Sequence, residues 1–294
     1  MTLGFFDGVH IAHRDLIKRG RKIADELGIP LGVFTFPSES GLKPGAKRLY
    51  STEERLKLLD EAGVDFTVLV EFSAVSSLSP EDFVKDVLVE RLKCRVAVIG
   101  FNFRFGKGAK GDADALLKLM EESGGKCAIH EELKIDGETV CTTLIRRLLA
   151  DGDMERANLL LKAPYRISGR VDRGNGVGKG LGFPTVNTAL DFWRVELRYG
   201  VYRTAVKVNG RTYPSITNVG VCPTFEERQV HLETFILGFE GDIYGCDTEV
   251  FFLEFIRDEM QFNSEKELKM QINIDISKVI EKNGDIKWQE LGLN

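Results

Sequence analysis

Residues 169–187 read Gly-Arg-Val-Asp-Arg-Gly-Asn-Gly-Val-Gly-Lys-Gly-Leu-Gly-Phe-Pro-Thr-Val-Asn. Glycine occupies five alternating positions, so a ligand can approach the backbone closely there and the chain can adopt dihedral angles closed to other residues. The same composition is also typical of an ordinary surface loop. The ending favours a phosphate site, because Pro184 directly precedes a hydroxyl at Thr185, and a carboxamide follows at Asn187. These are neutral oxygen ligands suited to a Mg²⁺ ion already held by phosphates.

The loop does not fit the common Walker pattern. A Walker loop needs glycine, four residues, and then Gly-Lys-Ser/Thr with the hydroxyl on the metal. Here Gly178-Lys179 is followed by Gly180, and Arg173 occupies the position of the first glycine. The sequence therefore predicts a phosphate-binding loop of another class.

The glycine-rich stretch with Gly-Phe-Pro-Thr-x-Asn resembles the riboflavin kinase module of the bacterial bifunctional riboflavin kinase/FAD synthetase family. Val186 stands where that family usually has alanine. The resemblance implies that ATP phosphates bind to the loop and that Thr185 and Asn187 hold Mg²⁺. The loop residues it assigns to the nucleotide are Gly174, Gly176, Gly178, Lys179, Gly182 and Pro184.

Length and composition limit the other possibilities. A chain of 294 residues can form two domains with separate cores. The net charge of −5 gives no general attraction to nucleic acid or an anionic membrane. Five scattered cysteines without a Cys-x-x-Cys pair indicate reduced thiols, and no apolar run reaches membrane-spanning length. We therefore expect a cytoplasmic protein with small-molecule substrates and no nucleic-acid or membrane partner, as a monomer or weak homo-oligomer.

The N-terminus begins on a second motif. Its apolar opening turns sharply at Asp7-Gly8 and leads into a helix predicted over residues 15–27. The free N–H groups of a helix N-terminus attract anions, so His10 and His13 would face one bound phosphate. Alone, the His-x-x-His pair is equally compatible with chance or with a helix-capping surface pair.

The wider pattern resembles the Gly-x-Phe-Asp-Gly-Val-His-x-Gly-His signature of the same family's FMN adenylyltransferase domain. The resemblance implies that His10 and His13 act on the phosphates of ATP. Ala12 replaces the usual glycine, which lets the backbone approach the nucleotide. The Pro-His-Pro often found in the family near residues 35–39 is also missing.

Apolar strands alternate with helical segments through this half. Strands are predicted over residues 31–36, 66–72 and 96–100. A capping box opens a helix at Ser51, and Ser79-Pro80 opens another. This alternation predicts a Rossmann-like parallel sheet of the nucleotidyltransferase type, with helices on both faces and ligands at the carboxyl ends of the strands.

Residues 106–111 match the dinucleotide fingerprint Gly-x-Gly-x-x-Gly, with Glu131 at about the expected distance. The match lies late in the chain and is separated from its strand by residues 101–105, which disfavours a NAD site. Instead, residues 100–106 resemble the family segment Gly-x-Asp/Asn-Phe-x-Phe-Gly, and the resemblance implies that Asn102 lies near the flavin. The three phenylalanines are also compatible with a packed strand face.

A second phosphate clamp is suggested at residues 141–146. The sequence Cys-Thr-Thr-Leu-Ile-Arg occupies the place of the family's Ser-Ser-Thr-x-Ile-Arg. The hydroxyls of Thr142 and Thr143 at a helix start, with Arg146 one turn later, can bind phosphate oxygens. Without the histidine motif, this pattern is no better than an ordinary N-cap.

The pattern changes after Pro164. Short alternating strands follow, and Asn209-Gly210 is a strong hairpin signal. A capping box at Ser264 opens a C-terminal helix. We expect an antiparallel β-barrel of the riboflavin kinase type with a C-terminal helix. The predicted domains are 1–162, the FMN adenylyltransferase, and 163–294, the riboflavin kinase.

Two segments of this half, around Asn218 and from Glu233 onward, resemble riboflavin kinase segments. The resemblance makes Glu233 the general base on the ribityl 5′-hydroxyl and places Asn218 and Arg257 at the flavin. From the strand pattern alone, Glu233 would be an outward-facing edge residue, because an unpaired buried carboxylate is costly.

The resulting prediction is ATP-dependent phosphorylation of riboflavin to FMN, followed by adenylylation of FMN to FAD with release of pyrophosphate. Two alternatives remain at this point. In one, only the kinase is active, because of Ala12 and the missing Pro-His-Pro. In the other, the protein binds flavin as a non-catalytic regulator.

Overall fold

The structure, a computed structural model, describes residues 1–41, 46–171, 185–191, 193–221, 230–239, 243 and 245–283. The chain divides into two compact units, Met1–Leu144 and Ile145–Asn294. Each unit contains its own main sheet.

The first unit alternates strands and helices, as predicted. Its elements are β1 Thr2–Leu3, α1 Ile11–Leu27, β2 Gly32–Thr35, α2 Thr52–Glu61, β3 Phe66–Leu69, α3 Phe72–Val75, α4 Pro80–Asp82 continuing as a π-helix Phe83–Arg91, β4 Val96–Gly100, a 3₁₀ turn Lys107–Ala109, α5 Ala113–Glu122, β5 Lys126–His130, β6 Lys134–Ile135 and β7 Glu138–Thr139.

The five main strands of this unit are all parallel, in the order β3-β2-β1-β4-β5. The short strand β1 is central, with Thr2 paired to both Val33 and Val98. Leu3 and Ile99 are fully buried because helices cover both faces of the sheet. Each such side chain contributes about 1.5–3 kcal/mol by leaving water. The loop that follows β1 therefore starts at the carboxyl end of the central strand.

The second unit begins with helices and continues as strands. Its elements are α6 Thr142–Asp151, which starts just before the boundary, α7 Met154–Leu161, β8 Tyr165–Arg170, β9 Thr185–Ala189, β10 Gly200–Val208, β11 Arg211–Val221, β12 Val230–Ile236, β13 Asp247–Arg257 and α8 Glu265–Asn283.

Its six strands form an antiparallel half-barrel in the order β8-β13-β10-β11-β12-β9. The two outer strands approach each other closely. At Gly169 of β8, an added Cβ atom would lie only 2.5 Å from the Thr188 methyl group of β9. The predicted hairpin between β10 and β11 is confirmed, with positive φ at both Asn209 (51°) and Gly210 (75°).

The two faces of this sheet differ in chemistry. On one face, four buried hydroxyls on β10, β11 and β12 form a chain of hydrogen bonds 2.8–2.9 Å long: Ser215, Thr204, Thr217 and Thr234. Because successive residues of a strand point to opposite faces, Asn218 and Glu233 lie on the other face. The register that joins the hydroxyls therefore also aligns the polar residues behind them.

Most element predictions are confirmed, including the capping box at Ser51 and the proline at the start of α4. Helix α1 begins at Ile11, four residues earlier than expected. The expected strand over 66–72 ends at Leu69, because α3 begins at Phe72. Residues 101–105 form a turn rather than a strand after β4. Within the described part of the chain, every helix is too short or too polar to span a bilayer.

Candidate active sites

The loop between β1 and α1 has an unusual backbone. Phe6, Gly8 and Val9 have positive φ angles of 56°, 99° and 41°. The left-handed region is unfavourable for phenylalanine and valine, so the surrounding structure must hold them there. Strain of this kind is often found at functional sites.

Hydrogen bonds hold this loop from two sides. The buried Asp7 carboxylate accepts one from the Leu49 amide at 3.0 Å, and the Asp7 carbonyl accepts one from the Thr142 hydroxyl at 3.0 Å. The carbonyl of Phe5 accepts one from the Thr35 hydroxyl at 2.9 Å. The loop is therefore attached to β2, to the start of α6 and to the segment before α2.

The loop places the two histidines together. His10 is the N-cap of α1, and its Nδ1 accepts a hydrogen bond from the His13 amide at 3.4 Å. The two rings stack, with centroids 3.6 Å apart. Because Nδ1 of His10 accepts, its proton is on Nε2, which is then a donor. Nδ1 of His13 is buried without a hydrogen-bond partner.

Both imidazoles are neutral at physiological pH. Burial lowers the pKa of His10 to about 4. Burial, followed by the nearby charges of His10 and Arg55, holds the pKa of His13 well below its ordinary range. The pair can therefore offer neutral N–H donors rather than two fixed positive charges.

A cavity of about 600 Å³ opens beside His13 at the carboxyl ends of the strands. Its walls are strongly aromatic and include Phe5, Phe36 and Phe103. Asn102 also lines it, as does Gly106. A flat aromatic ring system with one polar edge fits such walls.

The fingerprint at residues 106–111 does not open a helix after a strand. Gly106 and Gly108 instead take positive φ angles in a short turn that lines the cavity. The structure therefore gives no support to the NAD alternative.

The predicted second clamp lies at the start of α6. Helix α6 begins at Thr142, whose hydroxyl donates to the Asp7 carbonyl as described above. Thr143 is exposed, and Arg146 follows one turn later, half-buried. Thr142 is thus brought to the histidine loop by a direct hydrogen bond.

In the second unit, the polar residues form one row across five strands. Asn187 pairs with Glu233, Glu233 with Asn218, Asn218 with Val201, and Val201 with Arg257. Cross-strand partners lie on the same face of a sheet. The strand register therefore places in one row residues that are up to 70 positions apart in the sequence.

A cavity of about 210 Å³ lies over this row. Glu233, Asn218 and Arg257 line it together with apolar side chains, among them Phe235. Burial raises the pKa of the Glu233 carboxyl. Strand β12 lies between β11 and β9, so the alternative interpretation of Glu233 as an outward-facing edge residue is wrong.

Arg257 is held by the C-terminal helix. Its Nη2 and Nε donate to Oδ2 of Asp275 on α8 at 2.8 and 3.0 Å, and the Asp275 side chain is 2% exposed. Gln271 donates to Oδ1 of the same carboxylate at 2.9 Å. Helix α8 thus fixes the guanidinium at the cavity.

Part of the predicted phosphate loop lies outside the residues that the structure describes. Thr185 pairs with Phe235 in the β9–β12 ladder, and Asn187 is half-buried in the row. Six predicted nucleotide-binding residues lie outside the described residues: Gly174, Gly176, Gly178, Lys179, Gly182 and Pro184.

Three residues at these sites had not been predicted: Asp7, Arg55 and Asp275. For Arg55 a signal was present, since it lies three and four residues before Leu58 and Leu59, on the buried face of α2. A charged residue at a core position of an amphipathic helix is unusual. Asp275, by contrast, lies between Ile274 and Ile276, and the sequence around it gives no comparable signal.

Comparison with known proteins agrees with this arrangement. The FAD synthetase family model matches residues 1–144, and the riboflavin kinase model matches residues 161–282. A bifunctional riboflavin kinase/FMN adenylyltransferase of Bacillus subtilis is 34% identical over 289 residues, with 95% of this chain and 91% of the relative covered. The corresponding protein of Pseudomonas fluorescens is 35% identical over 287 residues, covering 94% and 90%.

A crystal structure of a macrolide-efflux protein from Streptococcus pneumoniae is also similar. It has a TM-score of 0.84 and 28% sequence identity, with 94% of this chain and 92% of that chain covered. The two proteins share the fold through both units.

The fold and the two cavities define an enzyme that combines a nucleotidyltransferase with a kinase. More particularly, the chain belongs to the family of bifunctional riboflavin kinase/FMN adenylyltransferases. It has both activities, and a kinase-only protein or a non-catalytic flavin binder is not favoured.

Proposed function

We propose that the two reactions take place at the two cavities described above. The observation that supports this is that two of the predicted catalytic residues line separate cavities, with His13 at the aromatic cavity and Glu233 at the smaller one. The substrates are riboflavin, FMN and ATP, and the final product is FAD. The functional domains are residues 1–162 for the adenylyltransferase and 163–294 for the kinase.

In the kinase, Glu233 accepts the proton of the riboflavin 5′-hydroxyl as that oxygen attacks the γ-phosphate of ATP, and ADP leaves as the bond between the β- and γ-phosphates breaks. A base with a raised pKa takes up this proton more readily than an ordinary carboxylate. Asn218 and Arg257 position the flavin in the cavity that they line with Glu233. Most of the remaining rate enhancement comes from positioning and charge stabilisation.

The residues present fit a Mg²⁺ ion that arrives with ATP. Asn187 offers a neutral oxygen next to Glu233, and Thr185 precedes it by two residues on β9. Among the described residues, no group of three or more His, Cys, Asp or Glu side chains could hold a metal on its own. Bound Mg²⁺ would offset the charge of the phosphates, as such ions do in phosphoryl transfer. The glycine-rich residues 174–182, with Pro184, would enclose those phosphates.

In the adenylyltransferase, the FMN phosphate attacks the α-phosphate of ATP and pyrophosphate leaves. No protein nucleophile is needed. Neutral His10 and His13 donate hydrogen bonds to the developing charge, and Thr142, Thr143 and Arg146 hold the leaving phosphates. The aromatic cavity with Asn102 takes the flavin ring.

We also propose a cytoplasmic location and a monomer or weak homo-oligomer. The cysteines in the described ranges are all free thiols, which is usual in a reducing compartment: Cys94, Cys127, Cys141 and Cys246.

The location of the adenylyltransferase site is tested by His10→Asn. Asparagine keeps an N-cap acceptor for α1 but removes the imidazole. We expect FAD formation from FMN and ATP to fall about 100-fold while FMN formation is unchanged, because one transition-state donor is lost. Chromatography of the products after incubation with riboflavin, ATP and Mg²⁺ measures both steps. FAD formation at the wild-type rate would contradict the assignment.

A further inference from the structure

Arg55 is a buried cation behind the aromatic cavity. It lies on α2, its side chain is 0% exposed, and its Nη1 donates to the carbonyl of Phe5 at 2.6 Å. Its Nη2 donates to the carbonyl of Phe36. The guanidinium carbon also lies 4.6 Å from the centroid of the Phe5 ring. One side chain thus connects the backbones that follow β1 and β2.

Both residues that Arg55 holds form walls of the cavity. Phe5 directly precedes the strained positions Phe6, Gly8 and Val9, which lead to His10. Positive φ angles at non-glycine residues persist only where other contacts over-determine them. The hydrogen bond from Arg55 to the Phe5 carbonyl therefore holds the chain directly before these positive-φ positions.

An apolar residue at position 55 would avoid the free-energy cost of burying a charged group. Burying a guanidinium is unfavourable unless its donors are used, and Nε of Arg55 has no hydrogen-bond partner. Burial lowers the pKa of Arg55 to about 10, so the group is still charged at neutral pH. The charged groups around it are Asp7 and Glu39, which favour the charge, and Arg48, which opposes it.

We propose that Arg55 is a positioning residue of the adenylyltransferase, which fixes the Phe5 and Phe36 walls of the flavin cavity and the loop that carries His10 and His13. This inference rests on the proposed location of that site. Arg55 contributes in two ways: its planar fork reaches two carbonyls at once, and its charge lies near His13.

Two variants of the full-length enzyme separate these contributions. Arg55→Met removes both the fork and the charge, whereas Arg55→Lys keeps the charge and loses the fork. We expect Arg55→Met to lower adenylyltransferase kcat/KM about 10- to 100-fold, because small displacements of reacting groups have effects of this size. Arg55→Lys should lie between it and the wild type.

The pH profile distinguishes positioning from general support of the fold. Among the described charged and titratable groups, His10 and Arg55 lower the pKa of His13, so losing the Arg55 charge raises that pKa. The acid limb of adenylyltransferase activity should therefore move to higher pH in Arg55→Met and stay in place in Arg55→Lys. A purely structural role would leave the limb unmoved in both variants.

Internal controls make the result decisive. Riboflavin kinase activity of the same molecules should stay within about twofold of the wild type. Arg21→Met, which removes a surface guanidinium paired with Asp65 in the same unit, should leave both activities unchanged.

Wild-type adenylyltransferase kcat/KM in Arg55→Met would overturn the inference, as would equal losses in both variants without a shift of the acid limb. If Arg55→Met does not fold, wild-type kcat/KM in Arg55→Lys overturns it. Failure of the proposed site itself would be seen separately, as full adenylyltransferase activity in His10→Asn.

Discussion

The two units place their catalytic groups in different ways. In the first unit, His10 ends a seven-residue loop and His13 lies in the first turn of α1. The loop has left-handed positions at Phe6 and Val9 and is anchored by hydrogen bonds from several elements. In the second unit, Asn187, Glu233 and Asn218 are aligned by β-ladder register alone. The first site therefore depends mainly on tethers that single substitutions can remove, whereas the second depends mainly on the sheet, with one tether from α8 to Arg257.

The largest expected effect concerns the base of the second unit. Glu233→Ala should lower riboflavin kinase turnover by about 10²- to 10⁴-fold, the usual contribution of a general base. Adenylylation of supplied FMN should be unchanged, because that cavity lies in the other unit. Steady-state assays of each half-reaction measure both values.

A matched control for this variant is Glu249→Ala, which removes a glutamate from β13 that pairs with Arg166 and does not line the cavity. It should leave kinase turnover within about twofold of the wild type. Equal kinase activity in Glu233→Ala and the wild type would exclude Glu233 as the base.

A smaller effect is expected from Asp275, which holds Arg257 from helix α8. Asp275→Asn should raise the kinase KM for riboflavin about tenfold, because a guanidinium that loses its charged partner is less well fixed. The same change should lower the stability of the second unit by about 1–3 kcal/mol, the usual effect of leaving a partly buried donor unpaired.

Riboflavin titrations and thermal unfolding measure these two consequences. Glu281→Gln is the control, since it removes an exposed carboxylate from the same helix. If Asp275→Asn behaved like Glu281→Gln, the row in the second unit would not depend on α8.

The smallest effect is a difference in pH response between the two units. A base must be ionised, and the raised pKa of Glu233 means that kinase activity is lost at a higher pH than for an ordinary carboxyl. His10, with its pKa lowered to about 4, stays neutral through this range. We therefore expect the ratio of kinase to adenylyltransferase activity to fall as the pH is lowered through the raised pKa of Glu233.

Using the ratio removes effects of ATP protonation that act on both reactions. Loss of adenylyltransferase activity before kinase activity would contradict the assigned protonation states.

The sequence predicts much of both folds because local signals agree with the tertiary structure. Strand β4 has the predicted bounds, and Asn209-Gly210 forms the predicted turn. Strand β3 is shorter than the apolar stretch 66–72 from which it was predicted, because Phe72 belongs to helix α3. Hydrophobicity alone does not separate a strand from a short helix that packs on the same core.

For the sites, family motifs predicted candidate substrate-binding and catalytic residues, and the structure adds residues that hold some of them in place. Glu233 could not be distinguished from an edge residue by pattern alone, because strand order is a long-range property. Arg55 and Asp275 were missed for a related reason. Their partners, Phe36 and Arg257, are 19 and 18 residues away, and no local rule connects them.

The central claim is that two independent sites act in succession. It is tested most directly by mixing two variants of the enzyme, each of which is inactive at one of the two sites. Glu233→Ala and His10→Asn proteins are incubated separately and together with riboflavin, ATP and Mg²⁺, and FAD is measured by chromatography. We predict almost no FAD from either variant alone and substantial FAD from the mixture, because FMN made by one molecule can be adenylylated by the other. A mixture that forms no FAD, although each variant retains its own half-reaction, would contradict the account.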